Sequence, residues 1–210
     1  EALMSSGLYD ELVRRNLLIP HSEIEANEDF KIIKPEQIPY ISYPYEWSFS
    51  QYKDAAMVTL EIQEIALKYD MMLKDASAYN IQFYKGRPVL IDTLSFEKLD
   101  RTRPWIAYRQ FCQHFLAPLS LMALKDIRLN CLMKDYIDGI PLDLASTLLP
   151  KFIGLGLYLN IRFHSKSQQE HSGTNKAPQK QFSKDMYISL LSGLQKCVKK
   201  CALKKQHTEW

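Results

Sequence analysis

Five stretches of the chain place apolar residues at helical spacing. In residues 2–16, Leu3, Leu8, Leu12 and Val13 gather on one side, with Asp10, Glu11, Arg14 and Arg15 mostly opposite. That pattern predicts an amphipathic helix, with Ser5 and Ser6 placed to cap its main part and Pro20 beyond its end. The strongest helical pattern covers 50–69, where Ala55, Val58, Ile62, Ile65 and Ala66 recur and Ser50 stands at the N-cap position. Further helices are expected over 105–123, 152–163 and 184–205. Pro118 should kink or break the first of these. Strands are expected at 31–34 (KIIK) and 40–42. Two short β-branched runs, 81–84 and 89–91, flank the turn residues Lys85-Gly86-Arg87-Pro88 and predict a hairpin. Residues 165–183 are rich in Ser, Gln and Lys and lack aliphatic residues, the pattern of a linker.

Composition changes this picture little. The 210 residues are 46% hydrophobic and 24% charged, enough to build a sizeable core. The net charge of +3 is too mild to imply nucleic acid, although the lysine-rich 184–210 helix has a basic face that could meet nucleic acid or acidic lipid, or simply water. No apolar run reaches the length of a membrane span and no signal-peptide pattern opens the chain, so a cytoplasmic location is expected. The four cysteines, 112, 131, 197 and 201, lack the spacing of zinc ligands and are expected as free thiols. The chain opens at Glu1 directly in a helical pattern and ends at Trp210 just after one, which suggests a piece of a longer protein.

The hairpin gives three polar residues a common address. Asp75 precedes it on a loop, Asn80 enters it and Asp92 leaves it, so Asn80 and Asp92 should end close together with Asp75 nearby. Two carboxylates and an amide make an oxygen-rich set of the kind Mg²⁺ prefers. Each residue also has an ordinary use in turns, through bonds to nearby backbone. Tyr43, Pro44, Tyr45, Glu46 and Trp47 form a stiff aromatic connector, read either as packing or as a ligand contact. His114, on an apolar helix, reads as a core histidine before it reads as a catalytic base. Gly154-Leu155-Gly156 lacks the strand and third glycine of a nucleotide loop, leaving helix packing as its account.

The order helix, Asp75…Asn80 loop, hairpin, Asp92 and helical remainder resembles the large lobe of the protein-kinase-like fold, in particular aminoglycoside-phosphotransferase-like small-molecule kinases. Leu73-Lys74-Asp75 stands at the family's H-R-D position, Asn80 at its D-x-x-x-x-N position and Asp92-Thr93-Leu94 at its D-F-G position. The resemblance implies an α+β, mainly helical fold with an incomplete small lobe. It implies Asp75 as the catalytic base, Asn80 and Asp92 as holders of Mg²⁺ on ATP, and Tyr43, Tyr45, Glu46 and Trp47 as a hinge beside the adenine. Glu11 would be the ion-pair partner of a phosphate-binding lysine. Leu73 replaces the family's His, Thr93-Leu94 replaces Phe-Gly, and neither a glycine-rich loop nor the V-A-I-K lysine is visible.

The strings MLKDASAYNIQF, GRPVLIDTLSFE, PWIAYRQFCQHFLAPL and DGIPLDLAS also resemble bacterial nodulation-related or class I SAM-dependent methyltransferase proteins, over about 1–165. This second resemblance implies a region preceding a methyltransferase domain, with SAM bound only there. The expected organisation is a small-lobe remnant and hinge at 1–47, a kinase-like helical lobe at 48–164, the linker at 165–183, and the basic helix at 184–210 leading to a fused methyltransferase domain. The activity implied is phosphotransfer to a small molecule. The competing readings are an inactive pseudokinase-like module that binds or presents substrate, and a plain interaction domain.

Overall fold

The computed structural model describes residues 2–27, 30–163 and 181–203. The first expected helix is divided into α1 (Ala2–Ser5) and α2 (Leu8–Arg14). Gly7 between them takes φ +80°, a left-handed conformation that interrupts a continuous helix and that glycine reaches without a steric cost. The Ser6 hydroxyl accepts the Leu8 N–H (3.2 Å), so one of the two expected capping serines serves α2.

A two-stranded antiparallel hairpin follows, β1 (His21–Ala26) against β2 (Lys31–Pro35). The 40–42 strand does not form. Gln82 instead holds the Ser42 backbone from both sides, its Oε1 accepting the Ser42 N–H (2.9 Å) and its Nε2 donating to the Ser42 carbonyl (3.0 Å). A buried amide side chain thus replaces a neighbouring strand. A 3-10 turn, Pro44–Glu46, then leads into α3 (Phe49–Lys68).

Helix α3 is the axis of the molecule, with eleven of its residues buried. Its cap is Ser48, not Ser50: Ser48 Oγ accepts the Gln51 N–H (3.3 Å) and Gln51 Oε1 accepts the Ser48 N–H (2.9 Å). This reciprocal capping box satisfies two otherwise orphaned donors and starts the helix two residues early, which brings Phe49 into the core. Asp70 in a left-handed conformation (φ 52°) turns the chain after its end.

Two small sheets are nested beyond α3. Strand β3 (Met71–Leu73) pairs antiparallel with β6 (Phe96–Lys98), and between them in sequence β4 (Ile81–Tyr84) pairs with β5 (Arg87–Leu90). Lys85 (φ 51°) and Gly86 (φ 79°) form the tight two-residue turn between β4 and β5, a turn whose twist matches that of the strands. Pro88 sits opposite Phe83, one pair from the closing Tyr84–Arg87 pair, where a missing N–H removes no bond to β4. The far side of β5 is covered by residues 17–19, with Leu90 exchanging bonds with the Leu17 carbonyl and the Ile19 N–H (both 2.9 Å).

The remainder is helical. α4 (Tyr108–Phe111), a π-helical turn (Cys112–Leu116) and α5 (Ala117–Leu124) run on without a break. Pro118 therefore does not end the helix. The Ala117 N–H bonds to the Cys112 carbonyl, and Pro118 has no N–H to offer the Gln113 or His114 carbonyl. Those two carbonyls are taken up from outside, by the Ile140 N–H (3.1 Å) and the Tyr52 hydroxyl (2.8 Å).

Short helices α6 (Leu132–Asp135), α7 (Leu142–Leu148) and α8 (Leu155–Leu157) follow, the last running into a π-helical segment, Tyr158–Phe163. The linker expected at 165–183 lies outside the described residues except for 181–183. Helix α9 (Lys184–Lys200) packs on α3, with Tyr187, Leu191, Leu194 and Val198 in the same core as Leu60 and Ile62. Lys53 Nζ donates to the Lys199 and Cys201 carbonyls (2.9 and 2.8 Å), a cation satisfying orphaned carbonyls at a helix C-terminus. Among the described residues no helix is long and apolar enough to cross a membrane.

Candidate functional site

The nested pairing decides where the three polar residues fall. Strand β3 delivers the chain to Asp75, a 3-10 turn (Ala78–Asn80) delivers it to β4, and β5 ends just before Asp92. Pairing of Leu73 with Phe96 then closes the loop after Asp92 back onto the loop before Asp75. Lys74 N–H donates to the Ser95 carbonyl (2.8 Å) across this junction.

Ser95 joins the two expected metal-binding residues. Its hydroxyl donates to Asp92 Oδ2 (2.6 Å) and accepts from Asn80 Nδ2 (3.3 Å). Asp92 Oδ1 accepts the Leu94 N–H (2.8 Å), which fixes the carboxylate at the start of the 3-10 turn Thr93–Ser95. With Nδ2 turned to Ser95, Asn80 Oδ1 has no donor among the described residues, and each Asp92 oxygen keeps a second lone pair. Hard oxygen donors of this kind suit Mg²⁺, which keeps several waters or phosphate oxygens alongside one or two protein carboxylates. No group of three or more His, Cys, Asp or Glu side chains among the described residues could hold a metal by itself. The Asn80–Asp92 pair fits a shared ion and not an all-protein cage.

Asp75 is held separately. Its Oδ1 accepts both the Ser77 N–H (2.9 Å) and Gln110 Nε2 (2.8 Å), while Gln110 Oε1 accepts the Ala76 N–H (2.7 Å). One glutamine thus clamps the loop at two points, and Oδ2 has no hydrogen bond among the described residues. His114 Nδ1 accepts the Ala78 N–H (3.3 Å), and its ring lies against the turn at Gly139. Burial pushes the imidazole down to about 4, an effect that the nearby Asp75 carboxylate offsets only in part. His114 is therefore a neutral support of the Asp75 loop with its proton on Nε2. Gly139 (φ 91°) is required there, because a Cβ would stand 2.8 Å from His114 Cδ2 and 2.7 Å from Gln113 Cβ. Trp105 Nε1 completes the frame, donating to the Leu73 carbonyl (2.8 Å).

The remaining predicted residues divide. Tyr43 and Tyr45 stack at 5.4 Å with rings 4° from parallel, and Tyr43 is exposed. Glu46 Oε2 accepts the Tyr43 N–H (2.8 Å), so this carboxylate fixes its own turn. Trp47 is buried, edge-on to Tyr52 and Phe83, with Nε1 donating to Ser42 Oγ (2.9 Å). Its ring belongs to the core and presents no open face. Among the described residues Glu11 is paired with no lysine; Arg14 of its own helix and Arg15 at the helix end bind it at 2.7 and 2.6 Å.

His114 is the core histidine that its apolar helix suggests, whereas Ser95 and Gln110 are not singled out by the sequence. Ser95 follows Asp92 by three, a spacing at which a hydroxyl can reach back within one turn, while nothing in the sequence signals Gln110.

No family model matches the chain. Nodulation protein NoeA of Rhizobium meliloti (strain 1021) is 30% identical to it over 171 residues, which take in 78% of this chain. The chain spans about a third of the length of that relative, the alignment covering 36% of it.

Proposed function

We propose that the Asp75–Asn80–Asp92 rim is a kinase-like site for Mg·ATP, with a small-molecule hydroxyl as acceptor. The observation that supports this most is the Asn80–Ser95–Asp92 chain, in which one hydroxyl ties the Asn80 amide to the Asp92 carboxylate at the mouth of a hairpin. Mg²⁺ held there would neutralise charge on the phosphates during transfer. Asn80 Oδ1 and Asp92 would be its protein ligands. Asp75 Oδ2, left open by the Gln110 clamp, would accept the proton of the acceptor hydroxyl, and the fixed loop would hold that oxygen in line. The Tyr43 ring, exposed and stacked on the half-buried Tyr45, would offer a flat surface to the adenine, while Trp47 and Glu46 would brace the turn beneath it.

Binding of ATP measured by calorimetry with and without magnesium tests this reading. Magnesium-dependent binding is expected, abolished by Asp92→Asn and retained by Asp75→Asn, which should lose only transfer. Absence of any magnesium-dependent binding by the unaltered protein would sink it.

A second reading, an inactive kinase-like module serving a fused SAM-dependent methyltransferase, is favoured by one observation. Both Glu11 carboxylate oxygens are already engaged by Arg14 and Arg15, so a phosphate-binding lysine would have to displace them. The greater length of the nodulation relative is compatible with a further domain. SAM would bind in that domain and not to residues of this chain. Nucleotide binding without transfer to any hydroxyl acceptor would select this reading over the first.

A further inference from the structure

A cavity of about 420 Å³ lies between the segment leading into α4, the start of α7 and the first turns of α9, apart from the Asp75 rim. That volume is within the range of sites that take small organic ligands, roughly 300–1,000 Å³. Its walls are apolar and aromatic, chiefly Trp105, Tyr108, Phe182, Met186 and Leu190. The polar atoms of these rings are turned to other work. Trp105 Nε1 donates to the Leu73 carbonyl, and the Tyr108 hydroxyl bonds to Asn160. Tyr187, which also lines the cavity, donates its hydroxyl to the Arg103 carbonyl (2.6 Å). The walls therefore offer a ligand body dispersion and apolar burial and few hydrogen bonds.

Arg109 is the exception. It is the one charged residue of the described lining, it is exposed, and its guanidinium has no hydrogen bond or ion pair among the described residues. A guanidinium has five donors in a planar fork that matches a carboxylate. We infer that this cavity binds an amphipathic carboxylate, an apolar body of medium-chain fatty-acid type whose acid head pairs with Arg109. The apolar lining selects against a polar ligand such as a sugar, whose hydroxyls would be buried without partners. The single unpaired cation selects one anionic end over none or two.

The experiment is calorimetric titration of the chain with decanoate and, in parallel, with decanol. Saturable one-to-one binding of decanoate is expected. Arg109→Ala should weaken decanoate by about tenfold, the scale of a lost charge-assisted bond, and leave decanol unchanged. Met186→Trp and Leu190→Trp should fill the space and remove binding of both, with thermal melting used to confirm that each variant is folded. Asp75→Asn and Asp92→Asn should bind decanoate as the unaltered chain does, because the cavity does not depend on the proposed nucleotide site. The inference is overturned by the absence of saturable decanoate binding, by equal affinity in Arg109→Ala, or by binding that survives in either folded tryptophan variant.

Discussion

At the scale of single residues, Ser95 and His114 hold the candidate site and neither is an acid or base at work in it. Ser95 is buried and makes two side-chain bonds, one of them to a carboxylate. Ser95→Ala leaves Asn80 Nδ2 and Asp92 Oδ2 each short of a partner, so a loss of about 1–3 kcal/mol is expected in urea denaturation. The magnesium-dependent nucleotide binding proposed for the rim should fall with it. His114 carries a pH dependence of definite sign. Its folded-state value of about 4 lies below the ordinary 6.5, so between these values the unfolded chain holds a proton that the folded chain does not. Its stabilising effect is fully present above about 6.5 and is lost as pH falls towards 4. From pH 7 to pH 5 the unaltered protein should lose about 2 kcal/mol more than His114→Asn, whose side-chain oxygen can still accept the Ala78 N–H. Equal losses in paired urea titrations would show that His114 is not the buried neutral group described.

At the scale of elements, what could be read from the sequence followed from local rules. The β4–β5 hairpin, the spacing of Asp75, Asn80 and Asp92, and helix α3 all rest on turn chemistry or periodicity within about twenty residues. What escaped depends on partners distant in sequence. Residues 40–42 alternate like a strand, yet their partner is one glutamine side chain forty residues on. Pro118 reads as a helix breaker because the donors that make up for it, Tyr52 and Ile140, lie on other elements. The Ser48–Gln51 box is legible in the sequence, whereas Ser50 offers only an N-cap serine, with Lys53 and no box partner three residues on. The continuous α4–α5 helix makes its own prediction. Tyr52→Phe removes the donor to the His114 carbonyl and should cost about 1–3 kcal/mol, since that carbonyl is buried. Pro118→Ala returns a backbone N–H to the same turn. The double variant should therefore be less destabilised than the sum of the two single ones, a coupling that a double-mutant cycle measures directly.

At the scale of the molecule, the candidate site depends on a helix that the sequence places beyond a linker. Helix α9 does not stand off from the lobe as a tether would. Leu191, Leu194 and Val198 are buried against α3, Gln195 Nε2 reaches Glu64 (3.3 Å), and Tyr187 bonds to the loop between β6 and α4. Helix α3 in turn supplies Gln63, whose Oε1 accepts the Leu73 N–H (2.7 Å) at the strand that leads to Asp75. A chain of packing therefore runs from α9 through α3 to the loop. Leu194→Asp would place an unpaired carboxylate in this interface, where no buried cation is available to it among the described residues, and should cost several kcal/mol, a large share of a domain's usual stability. Lys196→Glu on the exposed face should change stability by about 0.5 kcal/mol or less. If α9 were a solvated tether, both substitutions would leave the urea midpoint in place. If it is the outer layer of the core, only the first lowers it, and the magnesium-dependent nucleotide binding proposed for the rim should be lost with the fold at the same denaturant concentration.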